Sequence, residues 1–310
     1  MRDKQQVGQQ FSRAASSYDQ AAEIQAYAVE QLIQTLRTHT PGITGHWLDI
    51  GCGTGAAFEP LYELGAEQIT GLDLAEGMLE YAQLRHKDRI SQGKLKLSMA
   101  DADQLPLDST AADSPMREHS GENEDKSCAN TPRGIIISLM LQWSEDPLKT
   151  LREWQRVLEP NGIVGIATLL PGTHQEIEQT WRAIDDYRHV NRFEPLADLL
   201  KAITEAGFEL IHQKQEIKVH EYPDVPSLLR GLKAIGATNV NSDRRPGLTG
   251  RKLLRLFEQH YPKNPTGHCP LSYHLCWIIA QQSDGSSPPC SSRMSKASST
   301  KSTQESNHAN

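Results

Sequence analysis

The run Leu48-Asp49-Ile50-Gly51-Cys52-Gly53-Thr54-Gly55 places three glycines where a short apolar strand turns into a helix. Glycine at such a turn permits positive φ and lets the backbone approach a ligand closely. Asp73 stands 22 residues after Gly51, at the end of the next apolar run. A carboxylate at that place can accept both hydroxyls of a ribose. Turn and acid together outline a nucleoside site at the carboxyl edge of a parallel sheet. Two cofactor classes use this outline. A nicotinamide dinucleotide wants G-x-G-x-x-G/A, which Gly51, Gly53 and Ala56 satisfy, and its pyrophosphate would lie on the helix N-terminus. S-adenosylmethionine has no phosphate and makes use of two further acids. These are Asp49, just before the turn, and Asp101 in Ala100-Asp101-Ala102-Asp103-Gln104-Leu105-Pro106. In that case Asp101 faces the adenine amino group and Asp49 helps orient the methionine end. A nicotinamide oxidoreductase would also need a Tyr/Lys or His/Asp relay near the fourth or fifth strand, and the sequence offers none there.

These residues need a sheet to hold them. Ile24, Tyr27, Ala28, Leu32 and Leu36 recur at helical spacing over residues 20–38, and Pro41-Gly42 ends that helix. Trp47–Ile50 reads as a buried strand. Helix is then expected at 55–64, strand at 68–74, helix at 76–86 and strand at 94–99. A strand at 134–141, a helix at 146–158 and a strand at 163–169 follow. This βαβαβ series implies an α/β fold with a mostly parallel sheet covered on both faces. Residues 173–206 read as two helices broken near 191–195. Strand is expected at 208–221, helix at 224–236 and 247–260, and a last strand at 270–281.

The chain has 310 residues and a net charge of −7, with 37% hydrophobic and 23% charged residues. Residues 283–310 hold ten serines and no Leu, Ile, Val, Phe, Tyr or Trp, and residues 108–132 hold six acids against two bases. Neither can bury enough apolar area to offset its ordering entropy. They read as a disordered tail and a disordered acidic insertion. No apolar run approaches the ~20 residues of a membrane span, and the first residues lack the apolar core of a secretory signal. The five cysteines are scattered, without a close pair, so neither a disulfide framework nor a metal site is expected. A soluble protein of the reducing cytoplasm is the resulting expectation, with no membrane and no nucleic acid as partner.

Residues 45–170 resemble the class I S-adenosylmethionine-dependent methyltransferases. The likeness rests on Leu-Asp-Ile-Gly-Cys-Gly-Thr-Gly at 48–55, Gly-Leu-Asp-Leu-Ala-Glu-Gly-Met-Leu at 71–79, Asp-Ala-Asp-Gln-Leu-Pro-Leu at 101–107 and Leu-Glu-Pro-Asn-Gly-Ile at 158–163. It implies a Rossmann-like seven-stranded sheet with an antiparallel last strand, and S-adenosyl-L-methionine as cofactor. It implies cofactor contacts from Asp49, Gly51, Cys52, Gly53, Gly55, Asp73, Leu74, Met78, Asp101 and Ala102. A narrower resemblance covers nearly all of residues 5–281. Its residues are Phe11–Asp19, Leu139–Trp143, His189–Phe193, Leu229–Ala237, Arg244–Arg251 and Pro270–Tyr273. In these pieces the chain is similar to the malonyl-acyl-carrier-protein O-methyltransferases of biotin synthesis, the BioC family. Departures from the pattern are the insertion at 108–132, Arg133-Gly134 in place of Phe-Asp, Asn161 in place of Gly, and the tail. One methyltransferase domain is expected over 1–282: a helical cap at 1–40, the cofactor core at 45–170 and a substrate and partner side at 171–282.

The resemblance implies methyl transfer to the free carboxylate of a malonyl thioester. A carboxylate is already ionised at pH 7, so no general base is expected. The substrate needs a cationic or hydrogen-bonding hold, for which arginine is suited by its planar fork. The candidates are Arg192, Arg244 and Arg245, with Tyr18, Gln142 and Trp143 as further contacts. An acyl carrier protein is acidic and asks for a basic dock. Residues 228–256 carry Arg230, Lys233, Arg244, Arg245, Arg251, Lys252 and Arg255 against Asp243 alone. The alternatives are a methyltransferase for a small acid or quinone precursor, which would not need that segment, and the nicotinamide oxidoreductase.

Overall fold

The computed structural model describes residues 4–40, 42–107, 131–236 and 250–283. The sheet is built around β1 (His46–Ile50), β4 (Gly134–Ser138) and β5 (Ile163–Leu169), which are buried almost throughout. Continuous apolar runs rich in Ile and Val suit strands covered on both faces. β2 (Gln68–Asp73) and β3 (Leu95–Met99) extend the sheet on one side, and β6 (Phe208–Tyr222) and β7 (Cys269–Gln282) extend it on the other. The order is β3-β2-β1-β4-β5-β7-β6. All pairings from β3 to β5 are parallel, whereas β7 runs antiparallel to both β5 and β6. The expected seven-stranded sheet with an antiparallel last strand is therefore present. The chain leaves β1 towards β2 and β3, then returns to place β4 on β1's other side. That reversal opens a crevice at the carboxyl ends of β1 and β4.

Each face carries its own core. On one, α2 (Glu23–His39) buries Leu32 and Leu36 completely, and the Trp277 indole donates to the Ala28 carbonyl at 2.9 Å. On the other, α6 (Pro147–Val157) begins with Asp146 capping the Lys149 amide and Pro147 in its first turn, as helix starts favour. Its buried Trp154 donates to the Ala102 carbonyl at 3.2 Å, which fixes the segment after β3. The remaining helices are α3 (Phe58–Leu64), α4 (Glu76–Arg85), α5 (Lys87–Ser91), α7 (Gln175–Arg182), α8 (Leu196–Glu205), α9 (Val225–Ala234) and α10 (Arg251–His260). No helix among the described residues is long and apolar enough to cross a membrane.

Among the expected boundaries that move, three lie beside the crevice. β4 stops at Ser138 rather than 141, because Leu139 takes a left-handed φ of 53° and turns the chain into a short 3-10 helix, Leu141–Trp143. The helix expected from 55 starts at Phe58, because residues 51–57 are spent on the glycine turn. The helix expected to run to 86 ends at Arg85, and α5 follows it separately. Asn161 is also left-handed, at φ 64°, a conformation asparagine tolerates better than most residues. The tail, most of the acidic insertion and residues 237–249 lie outside the described residues.

The expected helical cap is a pair of helices, α2 and the preceding α1 (Lys4–Ala21). α1 lies against the N-terminal turn of α4. The approach is close enough that a Cβ on Gly77 would sit 2.8 Å from the Ser12 carbonyl oxygen, with two more Ser12 backbone atoms near 3.1 Å. Backbone atoms cannot swing aside as a side-chain end can. Gly77→Val is therefore expected to cost about 2 kcal/mol by overpacking, measured by urea denaturation, and to expose the α1–α2 junction to limited proteolysis.

Candidate functional site

The crevice at the switch point is roofed by α1. Its floor is Ile50, Gly51 and Gly53 from the first turn, Asp73 and Leu74 from the end of β2, and Ala100 to Asp103 after β3. Asp73 organises this floor. Its Oδ2 accepts the Gly53 N–H at 2.8 Å and its Oδ1 accepts the Ala75 N–H at 2.8 Å. One carboxylate thus pins the glycine turn and the start of α4. Burial pushes the Asp73 carboxyl up, with the backbone donors of Ala75, Gly53 and Leu74 opposing the shift. Gly51 is held at φ 74°, and a Cβ there would lie 2.6 Å from Met140 Cγ, so both conformation and space demand glycine.

α1 is fastened at both ends. Near its start the Lys4 ammonium donates to both oxygens of Asp101, at 2.6 and 2.7 Å, and to Asp103 Oδ2 at 2.6 Å. Asp103 in turn accepts from the Thr150 hydroxyl. Near its end Asp19 accepts from the Thr54 hydroxyl and from Arg85 Nη1, both at 2.7 Å. Between these ties Phe11 meets Trp143 edge to face, with ring centroids 5.6 Å apart. Tyr18 faces the cavity, and burial with the charges of Asp73 and Asp19 pushes its hydroxyl well up. It remains a neutral O–H at physiological pH.

A second lobe continues behind the glycine turn, lined by Asp49, Cys52, Thr54, Gln25 and Ser138. Burial, with Asp73 nearby, pushes the Asp49 carboxyl up to about 8. Burial likewise pushes the Cys52 thiol far up, with Asp73 and Asp49 adding to it, so Cys52 is a thiol and no nucleophile. Two side-chain oxygens of this lobe, Gln25 Oε1 and Ser138 Oγ, are buried without a hydrogen-bond partner.

The residues expected from sequence fall as follows. Asp49, Gly51, Cys52, Gly53, Asp73, Leu74, Met78, Asp101 and Ala102 line one lobe or the other, as do Tyr18 and Trp143. Gly55 is in the turn but not in the lining; its N–H donates to the Cys52 carbonyl. Asp101, expected to face an adenine, has both oxygens on Lys4. Gln142 donates its amide to the Leu139 carbonyl at 2.6 Å and braces the end of β4. Arg192 is exposed on an outer cleft beside Gly172, Asn191 and Phe193, away from the cavity. Arg244 and Arg245 lie outside the described residues. Lys4, Gln25 and Ser138 were not foreseen, nor were the places of Phe11 and Asp19 at the crevice. The Phe11–Asp19 motif entered only as part of the family likeness, and the fold brings Lys4 and Gln25 to the crevice.

A nucleoside suits this floor. Beside their backbone donors the Asp73 oxygens keep acceptor capacity for a ribose hydroxyl, and the buried oxygens of Gln25 and Ser138 in the second lobe suit a polar group. Residues 21–213 match the methyltransferase domain model. A malonyl-[acyl-carrier protein] O-methyltransferase of Serratia marcescens is 36% identical over 89% of this chain and 95% of its own length. The chain belongs to the malonyl-[acyl-carrier protein] O-methyltransferase family. A biotin biosynthesis bifunctional protein, BioHC of Teredinibacter turnerae, is 33% identical over 90% of this chain, which spans about half (47%) of that longer protein. The YcgJ protein of Bacillus subtilis shares the fold, with TM-score 0.54 and 14% identity over 84% of this chain and 99% of its own. Membership of the methyltransferase family removes the nicotinamide reading.

In this family member the state of Asp49 has a measurable consequence. Its carboxyl is near 8 when folded and about 3.9 in an unfolded chain. Between those values the unfolded chain has lost the proton that the folded chain keeps. Ligand-free stability therefore falls as pH rises through that window, by up to ~1.4 kcal/mol per pH unit from this group. Asp49→Asn removes the slope. The melting temperature of the variant is expected to gain on wild type steadily from pH 5 to pH 8, and a gap that ignores pH would contradict the raised carboxyl.

Proposed function

We propose that the protein transfers a methyl group from S-adenosylmethionine to the free carboxylate of malonyl-acyl carrier protein. The product is the malonyl methyl ester that primes pimeloyl synthesis in biotin biosynthesis. The observation that carries this reading is the extent of the kinship. The Serratia marcescens relative matches over 95% of its length, so the likeness takes in the substrate-side helices as well as the cofactor crevice. Once bound, S-adenosylmethionine supplies a sulfonium methyl as electrophile.

The residues present have matching tasks. Asp73 would hold the ribose, Gly51 and Gly53 allow close backbone approach, and Leu74 and Met78 form an apolar wall. Asp101 would take the adenine amino group, with Lys4 shared or displaced. The acceptor carboxylate is ionised at neutral pH and needs only alignment and exclusion of water. α1, with Phe11 packed on Trp143, supplies the exclusion. The neutral Tyr18 O–H, at the cavity wall, would donate to the carboxylate without neutralising it. Arg192 is less suited to that task than the notion of a cationic clamp suggests, since it lies on the outer cleft.

The carrier protein would dock on the basic segment 228–256. Within it Arg230 and Lys233 on α9, and Arg251, Lys252 and Arg255 on α10, are exposed. α9 also meets α1, where the Ser17 hydroxyl donates to the Ala234 carbonyl at 3.3 Å. Docking at α9 thus abuts the roof of the crevice. Labelled methyl transfer should occur with malonyl-carrier protein, more slowly with malonyl-coenzyme A, and not with acetyl-carrier protein or free malonate. Transfer to free malonate instead would favour the small-acid reading. Reversing both charges of α9, Arg230→Glu with Lys233→Glu, is expected to lower kcat/KM for malonyl-carrier protein about tenfold at low salt. Activity on malonyl-coenzyme A should be unaffected. Equal loss on both substrates would place the dock elsewhere.

A further inference from the structure

The second lobe of the crevice presents acceptors. Asp49 contributes a carboxyl group that is 3% exposed, from near the end of the fully buried β1. Gln25, in the first turn of α2, contributes a buried amide oxygen with no partner, and Ser138, at the end of β4, contributes a buried hydroxyl oxygen with no partner. All three line the same lobe. Native proteins leave few buried polar atoms unpaired, and those left are commonly completed by a ligand or water. The cation at this lobe, Arg85, already pairs with Asp19 at 2.7 Å.

Three acceptors ask for a donor with several N–H bonds and a positive charge. An ammonium has three donors and no acceptor. We infer that Gln25 and Ser138 are specificity residues for the α-ammonium of the cofactor's amino-acid end, joining Asp49 in a three-acceptor socket. The inference rests on S-adenosylmethionine as cofactor and assigns two residues that the sequence motifs do not single out. The raised Asp49 carboxyl fits it, because an ammonium beside Asp49 restores the charge that burial disfavours. Gln25 also ties the socket to α2, so recognition of the amino-acid end reaches from the glycine turn into the helical cap.

The test is calorimetric binding to the ligand-free protein, with no methyl transfer involved. The probes are S-adenosylhomocysteine and its deamino analogue, which keeps the adenosine, thioether and carboxylate but lacks the ammonium. Gln25→Leu and Ser138→Ala are each expected to weaken S-adenosylhomocysteine about tenfold, the loss of a charge-assisted hydrogen bond. Both should leave the analogue's affinity within twofold of wild type. Gln25→Glu retains an acceptor oxygen and should hold S-adenosylhomocysteine near wild-type strength. Ser138→Ala removes a single oxygen and keeps the test available if Gln25→Leu does not fold. Equal weakening of both ligands would make these residues structural, and no weakening of either would remove them from the site. Wild-type protein that binds neither ligand would overturn the cofactor reading and this assignment with it.

Discussion

One buried carboxylate, Asp73, joins the two halves of the crevice. It receives N–H groups from both the glycine turn and the start of α4, while burial works against its charge. It reinforces the Gly51 and Cys52 N–H bonds to the Leu72 carbonyl, at 2.7 and 3.0 Å, that also tie the turn after β1 to β2. Charge-assisted bonds to backbone donors are stronger than neutral ones, which suits a group that must set geometry and also face a ligand. The surrounding features follow from that anchor. Gly51 must be glycine because Met140 closes over it, and Met140 is where it is because Leu139 turns left at the end of β4.

The roof depends on the same floor. α1 contributes little apolar area of its own, burying only Val7, Gly8, Ala14 and Ala15. Its position is set by the Ser12 backbone against Gly77 and Phe11 against Trp143, and by ties at its two ends, Lys4 to Asp101 and Asp103, and Asp19 to Thr54 and Arg85. Asp101 and Thr54 belong to the site itself, so the roof is fastened to the residues it covers. These ion pairs are partly exposed, and such pairs contribute modestly. A roof held this way can admit a cofactor without unfolding the sheet beneath it. That arrangement fits methyl transfer to an ionised acid, which asks the protein for alignment and dryness rather than for a base.

Much of this was legible in the chain. β1 and β5 announce themselves as apolar runs bounded by Gly and Pro, and Asp49 and Asp73 stand out because strand ends beside a glycine turn leave few other uses for a carboxylate. The end of β4 was not legible, since nothing in the type of Leu139 signals a left-handed conformation. Lys4 and Gln25 were missed for a different reason. Each looks like an ordinary polar residue on a helix, and only the placement of α1 and α2 over the sheet brings them to the crevice. Arg192 illustrates the converse. Its charge suited the expected substrate, but residue type does not reveal which way a loop faces.

The atom that receives the methyl group is an oxygen of the malonyl carboxylate. The most direct measurement is carbon-13 NMR of malonyl-carrier protein after reaction with methyl-labelled S-adenosylmethionine. Methylation at oxygen gives a single labelled resonance in the methyl-ester region that disappears on mild alkaline hydrolysis with release of labelled methanol. A labelled methyl bonded to carbon and stable to base would contradict it.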